Sequence, residues 1–141
     1  MKVTFAAVCM NVEQDKQKNL KKILKEIDKA ADHGADLIVF PEQCLQGYLR
    51  NLVAMDMTGS ESDEFNYQYE NAEFVPEGQS VQTIVNKARE KDIYVVFGMT
   101  EKDPDIDYKL YNTAVLTGPD GYVGRYRKVH QPVDELHIYY R

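Results

Sequence analysis

The first forty residues hold two short apolar runs on either side of a helical pattern. Residues 3–9 predict a buried strand, and residues 35–40 predict a strand covered on both faces. Between them, apolar residues recur every three or four positions, which predicts an amphipathic helix. This stripe consists of Leu20, Ile23, Leu24, Ile27, Ala30 and Ala31. Asp15 is the expected N-cap and Gly34 the expected stop, so the segment predicts a β-α-β unit with a right-handed crossover.

The middle of the chain has a different pattern. Residues 51–78 are acidic, rich in Tyr, Asn, Ser and Glu, and without a clean period. This composition predicts a long surface loop, with a short helix near residues 60–69. A second amphipathic helix follows, for which Ser80 is the expected cap. Its apolar positions are Val81, Ile84, Val85 and Ala88.

Three further strands are predicted after the second helix. Residues 93–99 form an apolar run, followed by a polar loop at residues 101–108. Residues 110–117 and 122–129 then read as two strands. They are joined by the sequence GPDG at residues 118–121, which is a hairpin signal.

Composition narrows the class of protein. The apolar fraction of 43% is enough for a packed core, and 141 residues without a Pro- or Gly-rich linker predict one domain over residues 1–141. The net charge of −6 argues against a nucleic-acid partner. No apolar run approaches the roughly 18 residues that span a bilayer, so no membrane partner is expected. The two cysteines, Cys9 and Cys44, do not form a disulfide framework, and a reducing cytoplasm is the simplest setting.

Two charged residues stand at the ends of predicted strands. Glu42 follows an apolar run and Pro41, and Lys128 lies in a short strand-like segment after the hairpin turn. A carboxylate at a strand end can act as a general base, and an ammonium group beside it can stabilise a developing oxyanion. The alternatives are a helix cap or surface charge for Glu42 and a solvated basic face for Lys128.

Four segments resemble the carbon–nitrogen hydrolase (nitrilase) superfamily. They are FPE at residues 40–42, Gly47-Tyr48, YNTAVLTGPDG at residues 111–121 and GRYRKVH at residues 124–130. The resemblance implies an α/β fold that is half of an α-β-β-α sandwich, with a mixed sheet and helices on one face. It also implies that the chain corresponds to the N-terminal half of such a hydrolase domain.

The same resemblance implies a Glu-Lys-Cys catalytic set. Glu42 matches the general base and Lys128 the catalytic lysine, and Tyr48 lies in the region that shapes the substrate-binding pocket. The family's cysteine nucleophile comes later in the fold, so it is expected to be absent from this chain, which is predicted to be inactive alone. The implied substrate is a small-molecule amide or N-carbamoyl compound, hydrolysed without a metal or organic cofactor. True nitrile hydrolysis is the less favoured activity.

A second hypothesis is that the chain is a non-catalytic folding or assembly module. Half of a sandwich leaves one sheet face uncovered, and large exposed apolar patches favour association. This predicts a homo-oligomer that forms through the sheet faces or the helices. A third hypothesis is that the chain is a fragment of a longer protein.

The remaining candidate residues have simpler interpretations. Cys44 is a rival nucleophile that could meet His130, but a free cysteine usually behaves as a small buried hydrophobe. Cys9 is predicted to lie in the core. Glu135 resembles the auxiliary acid that some family members carry after the lysine, although an exposed glutamate is the favoured interpretation. The histidines are not spaced as a metal pair on one helix, so no metal site is predicted.

Overall fold

The computed structural model describes residues 2–48 and 60–141. Within these ranges the chain forms five strands, three α-helices and one short 3-10 turn. The strands are β1 Phe5–Ala7, β2 Leu37–Val39, β3 Tyr94–Lys102, β4 Leu110–Gly118 and β5 Gly121–Arg127. The helices are α1 Lys16–Asp32, α2 Ser60–Asn71 and α3 Gln79–Lys91, and the 3-10 turn is Val133–Glu135.

The five strands form one mixed sheet in the order β1-β2-β3-β4-β5. β1, β2 and β3 are parallel neighbours, and β4 is antiparallel to both β3 and β5. β2 and β5 therefore run in the same direction, although they lie three positions apart. Because Glu42 follows β2 and Lys128 follows β5, both residues leave the sheet at the same edge. The α/β fold class with a mixed sheet is confirmed.

Helices α1 and α3 cover one face of the sheet. Their fully buried residues include Ile23, Ile27, Ile84 and Val81, which belong to one hydrophobic cluster with the sheet. The buried sheet residues in that cluster are Ile38, Val95, Phe97, Met99 and Val115. No described helix is both long enough and apolar enough to cross a membrane.

On the opposite face of the sheet, α2 packs at one end, where the Thr100 hydroxyl contacts Gln68, and the rest of that face carries no helix in the described part of the chain. We call this the uncovered face; it consists of Phe5, Ala7, Leu37, Val39, Tyr94, Val96, Ala114, Leu116 and Tyr126, which share rows of the strand register. Phe5 is 69% exposed, Tyr126 63% and Tyr94 45%. In β2 only Ile38 is fully buried, so the prediction of a strand covered on both faces was wrong.

The N-terminal strand also differs from its prediction. β1 has only three residues, Phe5 is largely exposed, and Cys9 is exposed instead of lying in the core. The reason is the position of β1 at the end of the strand order. It has a neighbour on one side only, and its alternate side chains point toward the uncovered face.

Most local signals were interpreted correctly. The Asp15 carboxylate accepts a hydrogen bond from the Lys18 backbone N–H at 3.0 Å, and Gly34 ends α1 with a φ of 73°. The hairpin is present, with Gly118 paired to Gly121. The helix expected near residues 60–69 is α2, while residues 51–59 lie outside the described part of the chain.

The cap of α3 was predicted wrongly. Gly78 is the N-cap residue, and Ser80 lies inside the helix without capping it. Glu73 takes over the capping role from a distance in sequence. Its carboxylate accepts the Ser80 backbone N–H at 2.8 Å and the Ser80 hydroxyl at 2.6 Å. A nearby carboxylate also suits the positive end of the helix dipole.

Candidate active site

The turn that carries Glu42 packs directly on β3. A Cβ at Gly98 would lie 2.5 Å from the backbone nitrogen of Gln43 and 3.0 Å from the Cα of Glu42. Only a residue without a side chain allows so close an approach. Gln43 itself has a φ of 53°, an uncommon conformation for a residue other than glycine. The chain therefore turns sharply at the end of β2 and brings Glu42 toward the outer strands.

Buried amide side chains fasten this turn to β3. The Thr100 backbone N–H donates to Gln46 Oε1 at 2.9 Å, and the Thr100 hydroxyl donates to Gln43 Oε1 at 2.9 Å. The thiol of Cys44 contacts the Gly98 carbonyl oxygen at 3.4 Å. Because Gln43, Gln46 and Thr100 are fully buried, water cannot substitute for these hydrogen bonds. The backbone beneath Glu42 is held in one place.

Lys128 meets Glu42 at the end of β5. Its backbone N–H donates to the Asn112 carbonyl oxygen at 2.8 Å, which extends the pairing with β4 by one residue. Its Nζ donates to Glu42 Oε1 at 2.6 Å and to Glu135 Oε1 at 2.9 Å. Partial burial disfavours the charged ammonium, but the two carboxylates outweigh that effect and raise the pKa of Lys128. Lys128 is therefore a cation at physiological pH.

Glu135 is the main correction to the predicted site. The favoured interpretation as an exposed residue was wrong, because its side chain is fully buried. Oε1 accepts from Lys128 and also from the Tyr48 hydroxyl at 2.7 Å. The 3-10 turn Val133–Glu135 delivers this carboxylate to the site. Sequence spacing placed a glutamate after the lysine but gave no signal for its burial.

Asn112 is a site residue that the sequence analysis missed. Its Nδ2 donates to Glu42 Oε1 at 2.6 Å and lies 3.3 Å from Glu135 Oε2. The residue belongs to the YNTA segment of β4, but nothing in the pattern marked this position. We call Glu42, Asn112, Lys128 and Glu135 the carboxylate–lysine cluster.

A cavity of about 280 Å³ adjoins the cluster and opens on the uncovered face. Its polar lining includes Glu42, Asn112 and Lys128. Its apolar walls include Phe40, Val96, Ala114 and Tyr126. Such a cavity, apolar with a few converging polar groups, has the character of a small-molecule site.

Cys44 does not fit the role of a nucleophile. The residue is fully buried, and burial raises the pKa of its thiol to about 12. A thiol with that pKa stays protonated at neutral pH, whereas the thiolate is the reactive species. Cys44 is instead a core residue. Within the described ranges, no group of three or more His, Cys, Asp or Glu side chains could hold a metal ion.

Comparison with known proteins gives consistent matches. The sequence profile of the family described as "Carbon-nitrogen hydrolase" matches residues 4–140. A nitrilase from Pyrococcus abyssi is 36% identical over 129 residues, which cover 91% of this chain and 44% of that protein. Nitrilase 2 of Arabidopsis thaliana is 35% identical over 84% of this chain and 35% of its own length.

Solved structures share the fold. Nit3 of Saccharomyces cerevisiae, described as a member of branch 10 of the nitrilase superfamily, superimposes with a TM-score of 0.77 at 27% identity, over 98% of this chain and 48% of that one. An N-terminal amidase superimposes with a TM-score of 0.74 at 21% identity, over 96% of this chain and 30% of that one. The chain thus spans less than half the length of each of these four proteins.

Proposed function

The chain belongs to the carbon–nitrogen hydrolase family, and from that premise we propose that it supplies the base and the cation of a hydrolase site. Glu42 is the general base and Lys128 the oxyanion-stabilising group of an enzyme that cleaves a non-peptide carbon–nitrogen bond. The observation that carries this proposal is the 2.6 Å contact between Lys128 Nζ and Glu42 Oε1, made by residues 86 positions apart in sequence.

The proposed reaction needs a thiol that this chain does not supply. Glu42 takes the thiol proton, and the sulfur forms a bond to the carbonyl carbon of an amide. The carbonyl oxygen becomes an oxyanion beside the Lys128 ammonium. As the carbon–nitrogen bond breaks, Glu42 returns its proton to the leaving amine, and a thioester remains. Water then attacks the thioester carbon while Glu42 takes a proton from that water. The carbon–sulfur bond breaks, the sulfur regains a proton from Glu42, and a carboxylic acid is released.

Tyr48 remains the proposed substrate-binding residue, although its hydroxyl donates to Glu135. This hydrogen bond, of 2.7 Å to Glu135 Oε1, supports a position for Tyr48 beside the carboxylate that also binds Lys128. In that role Tyr48 would connect the substrate to Glu135, and Glu135 to Lys128. The half-buried position of Tyr48 is compatible with this placement.

The substrate class has two candidates. An amide or N-carbamoyl compound suits the base and cation described above. A nitrile is the second candidate, because the relatives at 34–36% identity from Pyrococcus abyssi and Arabidopsis thaliana are nitrilases by name. In that case Lys128 would act on a developing nitrogen anion instead of an oxyanion. The thiol is again the nucleophile and Glu42 again takes its proton, but that proton then goes to the nitrile nitrogen instead of a leaving amine.

The test is a chimera in which this chain replaces the matching part of the Pyrococcus abyssi nitrilase. We expect hydrolysis of an amide, an N-carbamoyl amine or a nitrile, and loss of at least about a thousandfold in kcat/KM in Glu42→Gln and Lys128→Met variants, since each removes a catalytic group. Glu77→Gln, at an exposed position, is the matched control. An active chimera that tolerates Glu42→Gln would contradict the proposal.

The 141-residue chain itself gives a second measurement. We expect no turnover of the same compounds. Cys44 is buried and its thiol stays protonated, and no hydrogen bond found among the described residues joins Cys9 to Glu42 or Lys128. Turnover that disappears in Cys9→Ser or Cys44→Ala would mean that the chain carries its own nucleophile.

A further inference from the structure

We propose that Asn112 is a positioning residue that holds Glu42 and Glu135 on either side of Lys128 and leaves one oxygen of Glu42 free for a proton. The inference deepens the proposed function and rests on it. It starts from the donors of one buried side chain. Asn112 is 4% exposed, and both hydrogen bonds found for its side chain come from the Nδ2 donors to protein atoms.

The Asn112 amide has two N–H donors and uses them on two different carboxylates. One is directed at Glu42 Oε1 at 2.6 Å, and the other at Glu135 Oε2 at 3.3 Å. The backbone of the same residue accepts the Lys128 N–H at 2.8 Å. One residue of β4 therefore fixes the positions of the cation and of both anions.

The resulting hydrogen bonds distinguish the two carboxylates. Glu135 uses both oxygens, because Oε1 accepts from Lys128 and Tyr48 and Oε2 accepts from Asn112. Both hydrogen bonds of Glu42 instead end on Oε1. Among the described residues no partner is recorded for Glu42 Oε2. Its side chain is also 45% exposed, whereas that of Glu135 is fully buried. Glu135 is thus an anchor, and Glu42 is the carboxylate with an oxygen open to an incoming proton.

Charge explains why a neutral amide suits this position. Two carboxylates and one ammonium leave the cluster with one surplus negative charge. Asn112 donates a hydrogen bond to each carboxylate and, being neutral, leaves the net charge of the cluster unchanged. An arginine or lysine at position 112 would neutralise it, and an aspartate would add a third carboxylate beside the other two. The surplus charge is what allows the cluster to accept a proton from a neutral thiol.

The first experiment observes Asn112 without changing it. Side-chain amide resonances of the 15N-labelled chain are compared between the wild type, Glu42→Gln and the control Glu77→Gln. A hydrogen bond to a charged group contributes about 1.5–3 kcal/mol, so its loss should speed exchange of one Asn112 amide proton at least about tenfold. We expect this in Glu42→Gln only. Unchanged Asn112 resonances and exchange in Glu42→Gln would overturn the inference.

The second experiment replaces the amide. Asn112→Leu should lower the pKa of Lys128, because Glu42 is then free to rotate into solvent and no longer holds the ammonium. The pKa is measured from the Lys128 side-chain carbon shift as a function of pH. The decrease should be smaller in the Glu42→Gln background, which shows that Asn112 acts through Glu42. Asn112→Ser, which retains one donor, should give an intermediate value, and it serves in place of Asn112→Leu if that variant does not fold.

Both measurements are independent of turnover. An unchanged Lys128 pKa in a folded Asn112 variant, or equal decreases in both backgrounds, would overturn the positioning role and leave the proposed function standing. An inactive chimera with the expected Asn112 shifts would instead overturn the proposed function. Asn86→Leu on the exposed side of α3 controls for the substitution itself.

Discussion

Glu73 illustrates how a single carboxylate can join two helices. It accepts from the Lys16 ammonium at 2.9 Å near the start of α1 and from the Ser80 backbone and hydroxyl in α3. Burial raises the pKa of Glu73, but the hydrogen bonds from Ser80 and Lys16 outweigh burial and lower it below the ordinary value of 4.5. The charged form therefore stabilises the folded state.

Glu73→Gln should lower the free energy of unfolding by about 1–2 kcal/mol at pH 7, which is typical of a lost cap. The pH dependence has a defined sign. Because the folded-state pKa is lowered, the stabilisation is complete above the unfolded-state pKa and is lost as pH falls through the folded-state value. Urea unfolding from pH 7 to pH 3 should therefore bring the wild type and Glu73→Gln closer together. The exposed Glu77→Gln is the control, and a constant difference at all pH values would contradict this account.

The roles of some residues could be predicted from the sequence, and the roles of others could not. Asp15 and Gly34 were predictable because a cap and a left-handed stop depend on neighbours within a few positions. Glu42 and Lys128 were found by motif, and the structure brings their side chains together. Glu135 was named only as the less favoured alternative to an exposed residue, and Asn112 was not found. The significance of both depends on contacts with residues 87 and 70 positions away.

At the scale of elements, β3 is the support for the site. Gly98 allows the turn after β2 to approach, and Thr100 binds the glutamines of that turn. The turn after β2 has no helix or strand of its own to hold it, so its position depends on its contacts with β3. The site is consequently sensitive to changes in β3 that involve no charged residue.

Gly98→Ala should destabilise the fold by about 1–3 kcal/mol and move Glu42 away from Lys128, because the new methyl group meets backbone atoms that cannot move independently. Gly124→Ala in β5 is a matched control, since a Cβ there has no neighbour within 4 Å. Urea unfolding measures the stability, and the Lys128 side-chain resonances report the loss of its partner. Equal effects of the two substitutions would refute this explanation.

The predicted elements were most accurate where the pattern was local. The stripe of α1 and the hairpin between β4 and β5 are present as expected. Prediction failed for the burial of β1 and for one face of β2, because an apolar run does not reveal whether a partner layer is present. It also failed for the α3 cap, where Glu73 competes with the nearby Ser80.

At the scale of the whole molecule, the main feature is the uncovered face. An apolar surface with exposed aromatic side chains is uncommon in a stable monomer and usually marks an interface. We propose that this face associates with a second copy of the chain when no other layer covers it. The cavity beside Lys128 opens on the same face, so a layer that covers this face would also border the proposed hydrolase site.

Light scattering should give a mass above the 16.3 kDa of one chain. Phe5→Glu should shift the protein toward the monomer, because it places a charge on the uncovered face without altering the core. Ile106→Glu is the control: Ile106 is also exposed but lies in the loop between β3 and β4. A wild-type monomer, or equal effects of the two substitutions, would contradict association through this face.

The last residues of the chain are integral to the structure. Tyr139 is buried, its hydroxyl lies 3.3 Å from that of Thr100, and its ring belongs to a small cluster with Leu110 and Ile138. Any trimmed version of this polypeptide must therefore retain everything through Tyr139. Removal of only the final ten positions would take away the Glu135 anchor and open the base of the turn that presents Glu42.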